Sequence, residues 1–163
     1  MRAALARLSS AGLRVTAVSR FYASPAFPPG AGPDFVNAVA VFTGPSDPAA
    51  LLETLHGVEA AFGRLRHRRW ASRTLDLDLI AVGERVLPDE DVYRWWRNLP
   101  LERQAREAPE TLVLPHPRMQ DRSFVLIPLA EIAPDWRHPV LGLTAAALAE
   151  ALPEDAKSAL RPL

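Results

Sequence analysis

From Arg73 to Ile80 the chain alternates: Leu75, Leu77 and Leu79 stand between Thr74, Asp76 and Asp78. A period of two predicts a strand with one apolar and one polar face. Leu13 to Tyr22, rich in Val, Thr and aromatics, reads as another strand. So does Phe35 to Thr43, with Phe35, Asn37, Val39 and Val41 on one side. These two are expected to pair antiparallel across a loop of prolines and glycines between Ala26 and Pro33. Helical spacing governs elsewhere. Ala3, Leu5, Ala6 and Leu8 fit a short helix over residues 2–11 that stops at Gly12. Asp47 can cap a longer one, with Pro48 in its first turn and Leu51, Leu55, Val58 and Phe62 following to about Gly63.

Beyond the aspartate strand, Arg85 to Leu87 can add a short edge strand. Residues 88–110 then change composition, forming a polar, arginine-rich helical excursion whose Trp95 and Trp96 are expected to anchor it to the core. Leu112 to Pro117 is a short extended piece stiffened by proline. Phe124 to Ile132 makes an apolar helix suited to plugging the core, and Thr144 to Leu152 a last helix ending at Pro153. The order α-β-β-α-β, then irregular structure and two helices, is an α+β fold. It is expected to be a ferredoxin-like split β-α-β sandwich, an antiparallel sheet with helices packed on it, lacking its opening strand. That strand is an interior one, so its absence leaves backbone groups on two neighbours to be satisfied. The expectations are a start upstream of Met1 or, for this chain as it stands, a swapped or edge-paired homodimer.

Composition narrows the class. At 163 residues, 48% hydrophobic and 23% charged, the chain has the size of one globular domain over residues 1–163. Nineteen basic residues balance nineteen acidic ones, so its basic run is local and a general nucleic-acid role is disfavoured. The absence of cysteine excludes disulfides, thiolate metal sites and cysteine nucleophiles. No stretch reaches the roughly 18 apolar residues of a membrane span, and a soluble cytoplasmic protein is expected.

Asp76 and Asp78 share the polar face of their strand, with Cα atoms about 7 Å apart at two strand rises. Two such carboxylates repel each other unless a cation compensates, and they can converge on one hard cation or bridge two. Just upstream, Gly63 to Arg73 is crowded with guanidinium groups, whose planar forks suit a polyphosphate. Together they point to a site for a metal-complexed phosphate chain. Ordinary surface ion pairs are the competing explanation for the carboxylates alone.

Four blocks in order carry a resemblance: Phe21-Tyr22-Ala23-Ser24-Pro25-Ala26-Phe27, Pro33-Asp34-Phe35-Val36-Asn37-Ala38, Arg69 through Asp78, and Leu114-Pro115-His116-Pro117-Arg118-Met119 through Leu129. Across roughly residues 19–136 the sequence resembles the 6-hydroxymethyl-7,8-dihydropterin pyrophosphokinases of folate synthesis. The resemblance implies transfer of pyrophosphate from ATP to the pterin hydroxymethyl group, with AMP released. It implies that Asp76 and Asp78 hold two Mg²⁺ ions and that Arg73 and Arg122 clamp phosphate oxygens. By the same carry-over Glu59, Arg66, Trp70 and Leu79 lie near the nucleotide, and His116 donates to the phosphates. Phe35 and Phe124 sandwich the pterin ring, Asn37 reads its edge, and Ser24, Pro25 and Phe27 form the loop wall. ATP and a reduced pterin are the expected small-molecule partners, with no nucleic acid and no membrane.

Two other classes compete. One is a catalytically impaired relative that binds nucleotide or pterin, or an interaction partner of another folate enzyme. The other is a small metal nuclease or RNA-binding module using the arginines of 64–73, disfavoured because aromatic residues do not interleave along a basic sheet face.

Overall fold

The structure is a computed structural model that describes residues 1–25, 33–63, 75–104 and 106–163. Helix α1 (Arg2–Ser10) ends where expected, with Gly12 at a φ of 91° that favours glycine. The first expected strand is present in two pieces, β1 (Arg14–Val18) and β2 (Tyr22–Ser24). The second is likewise divided, into β3 (Phe35–Asn37) and β4 (Ala40–Thr43). Pairing is antiparallel as anticipated, β1 with β4 and β2 with β3.

Register explains the breaks. Val15 faces Phe42 but Ala17 faces Val41, so Thr16 is an extra residue, a bulge. A second offset separates Val18↔Ala40 from Tyr22↔Asn37, with three residues on one arm against two on the other. At that bend Ser19 N–H donates to the Val39 carbonyl at 2.9 Å, and the Ser19 hydroxyl accepts from Val39 N–H at 3.0 Å. A side chain thus replaces a backbone acceptor, and the ribbon passes from a two-stranded sheet, β1-β4, into a three-stranded one, β3-β2-β5, whose last strand is β5 (Arg161–Pro162).

Helix α2 (Pro48–Ala61) starts as expected, with the Asp47 carboxylate accepting from Ala50 N–H at 3.0 Å. It packs with α1 in a core of Ala4, Leu8, Leu13, Leu55 and Val58. A second core gathers around α5 (Ser123–Ile132) and α6 (Ala145–Glu150), with Met119, Leu126, Leu129 and Leu148 buried there. The aspartate segment runs between these two cores: Leu75, Leu77 and Leu79 pack on the first and Ile80 on the second.

That segment corrects one expectation. Residues 75–80 belong to no sheet, because their backbone groups are engaged elsewhere. Leu77 N–H donates to the Glu59 carboxylate at 2.7 Å, and the Ile80 carbonyl accepts from His116 N–H at 2.8 Å. The alternation of faces holds without a ladder. The Arg85 to Leu87 edge is reduced to a single bridge, Leu87 with Leu114.

Helices α3 (Glu90–Arg97) and α4 (Leu101–Gln104) occupy the expected excursion, but Trp95 does not anchor it, being 49% exposed. Among its described residues, the one buried without remainder is Tyr93, whose hydroxyl lies 2.9 Å from Nε2 of the equally buried His138. Nothing in the hydrophobic pattern announces the elements after Pro153, α7 (Glu154–Ser158) and β5 (Arg161–Pro162), the latter pairing with β2. No helix among the described residues is long and apolar enough to cross a membrane.

Candidate active site

A cleft of about 510 Å³ is lined by Asp76, Asp78, His116, Arg118 and Arg122. The leucine side of the 75–80 segment is committed to the α1–α2 core, so both carboxylates project to the opposite, exposed side. Arg122, directly before α5, places Nη1 3.5 Å from Asp78 Oδ2 and its guanidinium carbon 5.6 Å from the centre of the Phe124 ring. Burial pulls the Arg122 pKa down, and Asp78 acts against that pull.

His116 is held at both backbone and ring. Its N–H ties it to Ile80, and Nδ1 accepts from Arg118 N–H at 3.1 Å, which assigns the ring proton to Nε2. Its pKa is pushed down to about 4, by burial first and the Arg122 charge next, with Asp78 opposing. At neutral pH it is therefore an uncharged N–H donor. Two carboxylates, a guanidinium and a neutral donor around one cleft can hold a hard cation and the oxygens of a phosphate chain.

The remaining nominated residues fall into separate places. Leu79 lines the cleft, whereas Glu59 lies beneath it, 1% exposed, supporting Leu77. Asn37 Nδ2 donates to the Ser24 hydroxyl at 2.9 Å, and Ser24 faces Phe35 across β2–β3. Tyr22, on that same face, donates its hydroxyl to Glu131 of α5 at 2.7 Å, so the Phe35–Asn37 face is turned toward α5. Phe124, in the first turn of α5, is half-buried against the second core, while Phe35 is 52% exposed and Pro25 exposed. Ser24, Phe35, Asn37 and Phe124 do not line the aspartate cleft. Phe27, Arg66, Trp70 and Arg73 lie outside the described residues.

Sequence reasoning did not nominate Trp96, Gln104 or Arg118, all of which line the cleft. The compositional change at 88–110 marks the excursion, but nothing in it tells which face meets the cleft.

Fold and cleft define an α+β protein in which two carboxylates, a guanidinium and a neutral imidazole face one cleft. Comparison with known proteins narrows this. The family model for 7,8-dihydro-6-hydroxymethylpterin-pyrophosphokinase matches residues 1–134. The chain is 42% identical over 151 residues to the 2-amino-4-hydroxy-6-hydroxymethyldihydropteridine pyrophosphokinase of Synechocystis sp., covering 92% of this chain and 67% of the relative. It is 40% identical over 126 residues to the enzyme of that name from Pseudomonas aeruginosa, covering 77% and 65%. For the one from Haemophilus influenzae the identity is 37% over 132 residues, covering 81% and 69%. The matched part spans about two-thirds of the length of these relatives. The chain belongs to this pyrophosphokinase family of folate biosynthesis, which acts on ATP and a pterin.

Proposed function

We propose that residues 1–163 form one pyrophosphokinase unit that moves the terminal pyrophosphoryl group of ATP to the pterin hydroxymethyl oxygen. That oxygen bonds to the β-phosphorus, the bond from the β-phosphorus to the bridging oxygen breaks, and AMP leaves with that oxygen. The hydroxyl proton passes to water. The observation that carries this reading is the convergence of Asp76, Asp78, His116 and Arg122 on one cleft, in a chain of this family.

The donor set fits Mg²⁺. Asp76 and Asp78 are hard oxygen ligands, and no third His, Asp or Glu completes a metal cluster among the described residues. Mg²⁺ commonly binds through one or two carboxylates with phosphates and water filling its octahedron. Held by this pair, two such ions would neutralise charge on the phosphates. Arg122 grips phosphate oxygens when it exchanges its 3.5 Å contact with Asp78 for them. His116 adds its Nε2–H without adding charge, and Arg73 joins the clamp. Glu59 works indirectly, by fixing Leu77 and so the spacing of its acidic neighbours. Arg66, Trp70 and Leu79 belong with the nucleotide.

For the pterin, Asn37 and Ser24 form the edge-reading pair, Phe35 and Phe124 the ring faces, and Pro25 and Phe27 the loop wall. Support comes from the shared face of Phe35 and Asn37 and its orientation toward α5. The split β-α-β reading is supported by α1, β4, α2 and the leucines of the aspartate segment converging on one core.

Asp76→Ala and Asp78→Ala test the assignment. Each is expected to cut AMP formation by at least about 10³-fold, because a charged ligand is lost where phosphate charge must be neutralised. Melting should change by only a few degrees, since both side chains are exposed. Substantial turnover in both variants would overturn the proposal.

A further inference from the structure

The excursion has no part in the transfer as proposed, yet it supplies a wall of the same cleft. Trp96 of α3 and Gln104 of α4 both line it, alongside Leu52, Leu112 and Val113. The indole of Trp96 is held in place: Trp95 meets it edge to face, with ring centres 4.8 Å apart at 89°. Arg103 in turn covers the Trp95 ring at 5.6 Å. Gln104 Nε2 donates to the Leu99 carbonyl, which fixes the orientation of the amide. Its Oε1 is then buried with no hydrogen-bond partner among the described residues.

An aromatic face, apolar neighbours and an amide acceptor lacking a donor suit a flat heteroaromatic ring that carries an amino group. The acidic and cationic groups of the same cleft suit a polyphosphate. A nucleoside triphosphate joins both chemistries in one molecule. We propose that Trp96 and Gln104 form the nucleobase wall, with the indole stacked on the purine of ATP and Gln104 Oε1 accepting from its exocyclic amine. This rests on the transfer reading above and adds what selects the base. The pterin is a second flat amino ring, and the test separates the two.

Calorimetry with an unhydrolysable ATP analogue in Mg²⁺, and separately with the pterin, needs no turnover. Trp96→Leu is expected to weaken the ATP analogue roughly 10-fold, the scale of losing one base–aromatic stack, and to leave the pterin within about twofold. Trp96→Phe should restore most of the loss. The wild type should prefer the adenosine analogue over its inosine counterpart, which carries a carbonyl in place of the amine, and Gln104→Leu should abolish that preference. A purely structural role for Gln104 would not change a ratio between two bases. ATP-analogue affinity unchanged in both Trp96→Leu and Gln104→Leu would overturn the wall, as would a loss confined to the pterin. Should Trp96→Leu not fold, Trp96→Phe and the Gln104→Leu ratio decide. A wild type that forms no AMP yet shows the base preference, lost in Gln104→Leu, defeats the transfer reading and upholds the wall.

Discussion

The two walls of the cleft are built differently. The acidic wall, residues 75–80, is fastened along its length: its leucines enter one core, Ile80 enters the other, Leu77 is hydrogen-bonded to a buried carboxylate and Ile80 to the His116 backbone. The excursion wall has one deep attachment on α3, Tyr93 against His138. Leu99, between α3 and α4, is also buried, while the i,i+4 ion pairs Arg94–Glu90 and Arg103–Glu107 lie at the surface, where solvent screens them. Phosphoryl transfer depends on placement of the reacting groups to within a fraction of an ångström. Gripping a base by stacking does not. Under the transfer proposed above, the part of the cleft assigned to the chemistry is the part tied into both cores.

The largest effect should come from cutting the fixed wall at its support. Glu59→Ala leaves the Leu77 N–H without its acceptor and opens a cavity beneath the segment. Loss of roughly 3 kcal/mol is expected, or about 6–12 °C in melting temperature for a chain of this size. Glu59→Gln, which keeps an acceptor oxygen, should lose less. Unchanged melting in Glu59→Ala would show that the acidic wall is not held from below, and the contrast between the walls would fail.

How much of this could be read from the chain follows the same division. Period two reports which face a residue takes, so the common projection of Asp76 and Asp78 was legible, even though no ladder forms there. Ladder formation depends on a neighbour, and a local pattern does not reveal neighbours. Helix α2 was legible because Asp47 and Pro48 act locally. The broken strands were not, because a one-residue excess at Thr16 leaves the composition of a strand unchanged. Tyr93 and His138 stand 45 residues apart and gave no local sign. Trp95 and Trp96 looked alike in sequence, yet one is half exposed and the other lines the cleft, a difference set by the helix's orientation. Strand β5 pairs with β2, and Arg161 reaches Asp34 across 127 residues, a contact invisible to any window.

Acid should loosen the excursion's attachment. His138 Nδ1 accepts from the N–H groups of Val140 at 3.2 Å and Leu141 at 3.3 Å, so a proton there would confront two donors. Its pKa is pushed down to about 4, by burial first and then by the Arg97 charge. The unfolded chain, with an ordinary His near 6.5, takes up the proton first as pH falls. This group's contribution is therefore complete above about pH 6.5, declines between about 6.5 and 4, and is gone below. A loss on the order of 2–3 kcal/mol is expected across that window, read as melting temperature against pH, with a shallower profile in His138→Leu. Equal slopes in the two proteins would remove His138 as the acid-sensitive attachment.

The finest test removes one hydroxyl. With Nδ1 engaged as an acceptor, His138 carries its proton on Nε2 and donates it to the Tyr93 oxygen. Tyr93→Phe keeps the ring and leaves that buried N–H without an acceptor, at a cost of about 1–2 kcal/mol. If the excursion is tied chiefly here, the cost should be felt locally. Hydrogen exchange of α3 amides should accelerate by roughly 10-fold, the factor that about 1.4 kcal/mol of opening free energy represents, while amides of α5 keep their protection. Affinity for an ATP analogue should fall two- to threefold as the Trp96 wall loosens, with kcat unchanged because the acidic wall is untouched. Equal acceleration in α3 and α5 would mean that the walls open only when the whole fold opens. The difference in their fastenings would then be one of appearance and not of stability.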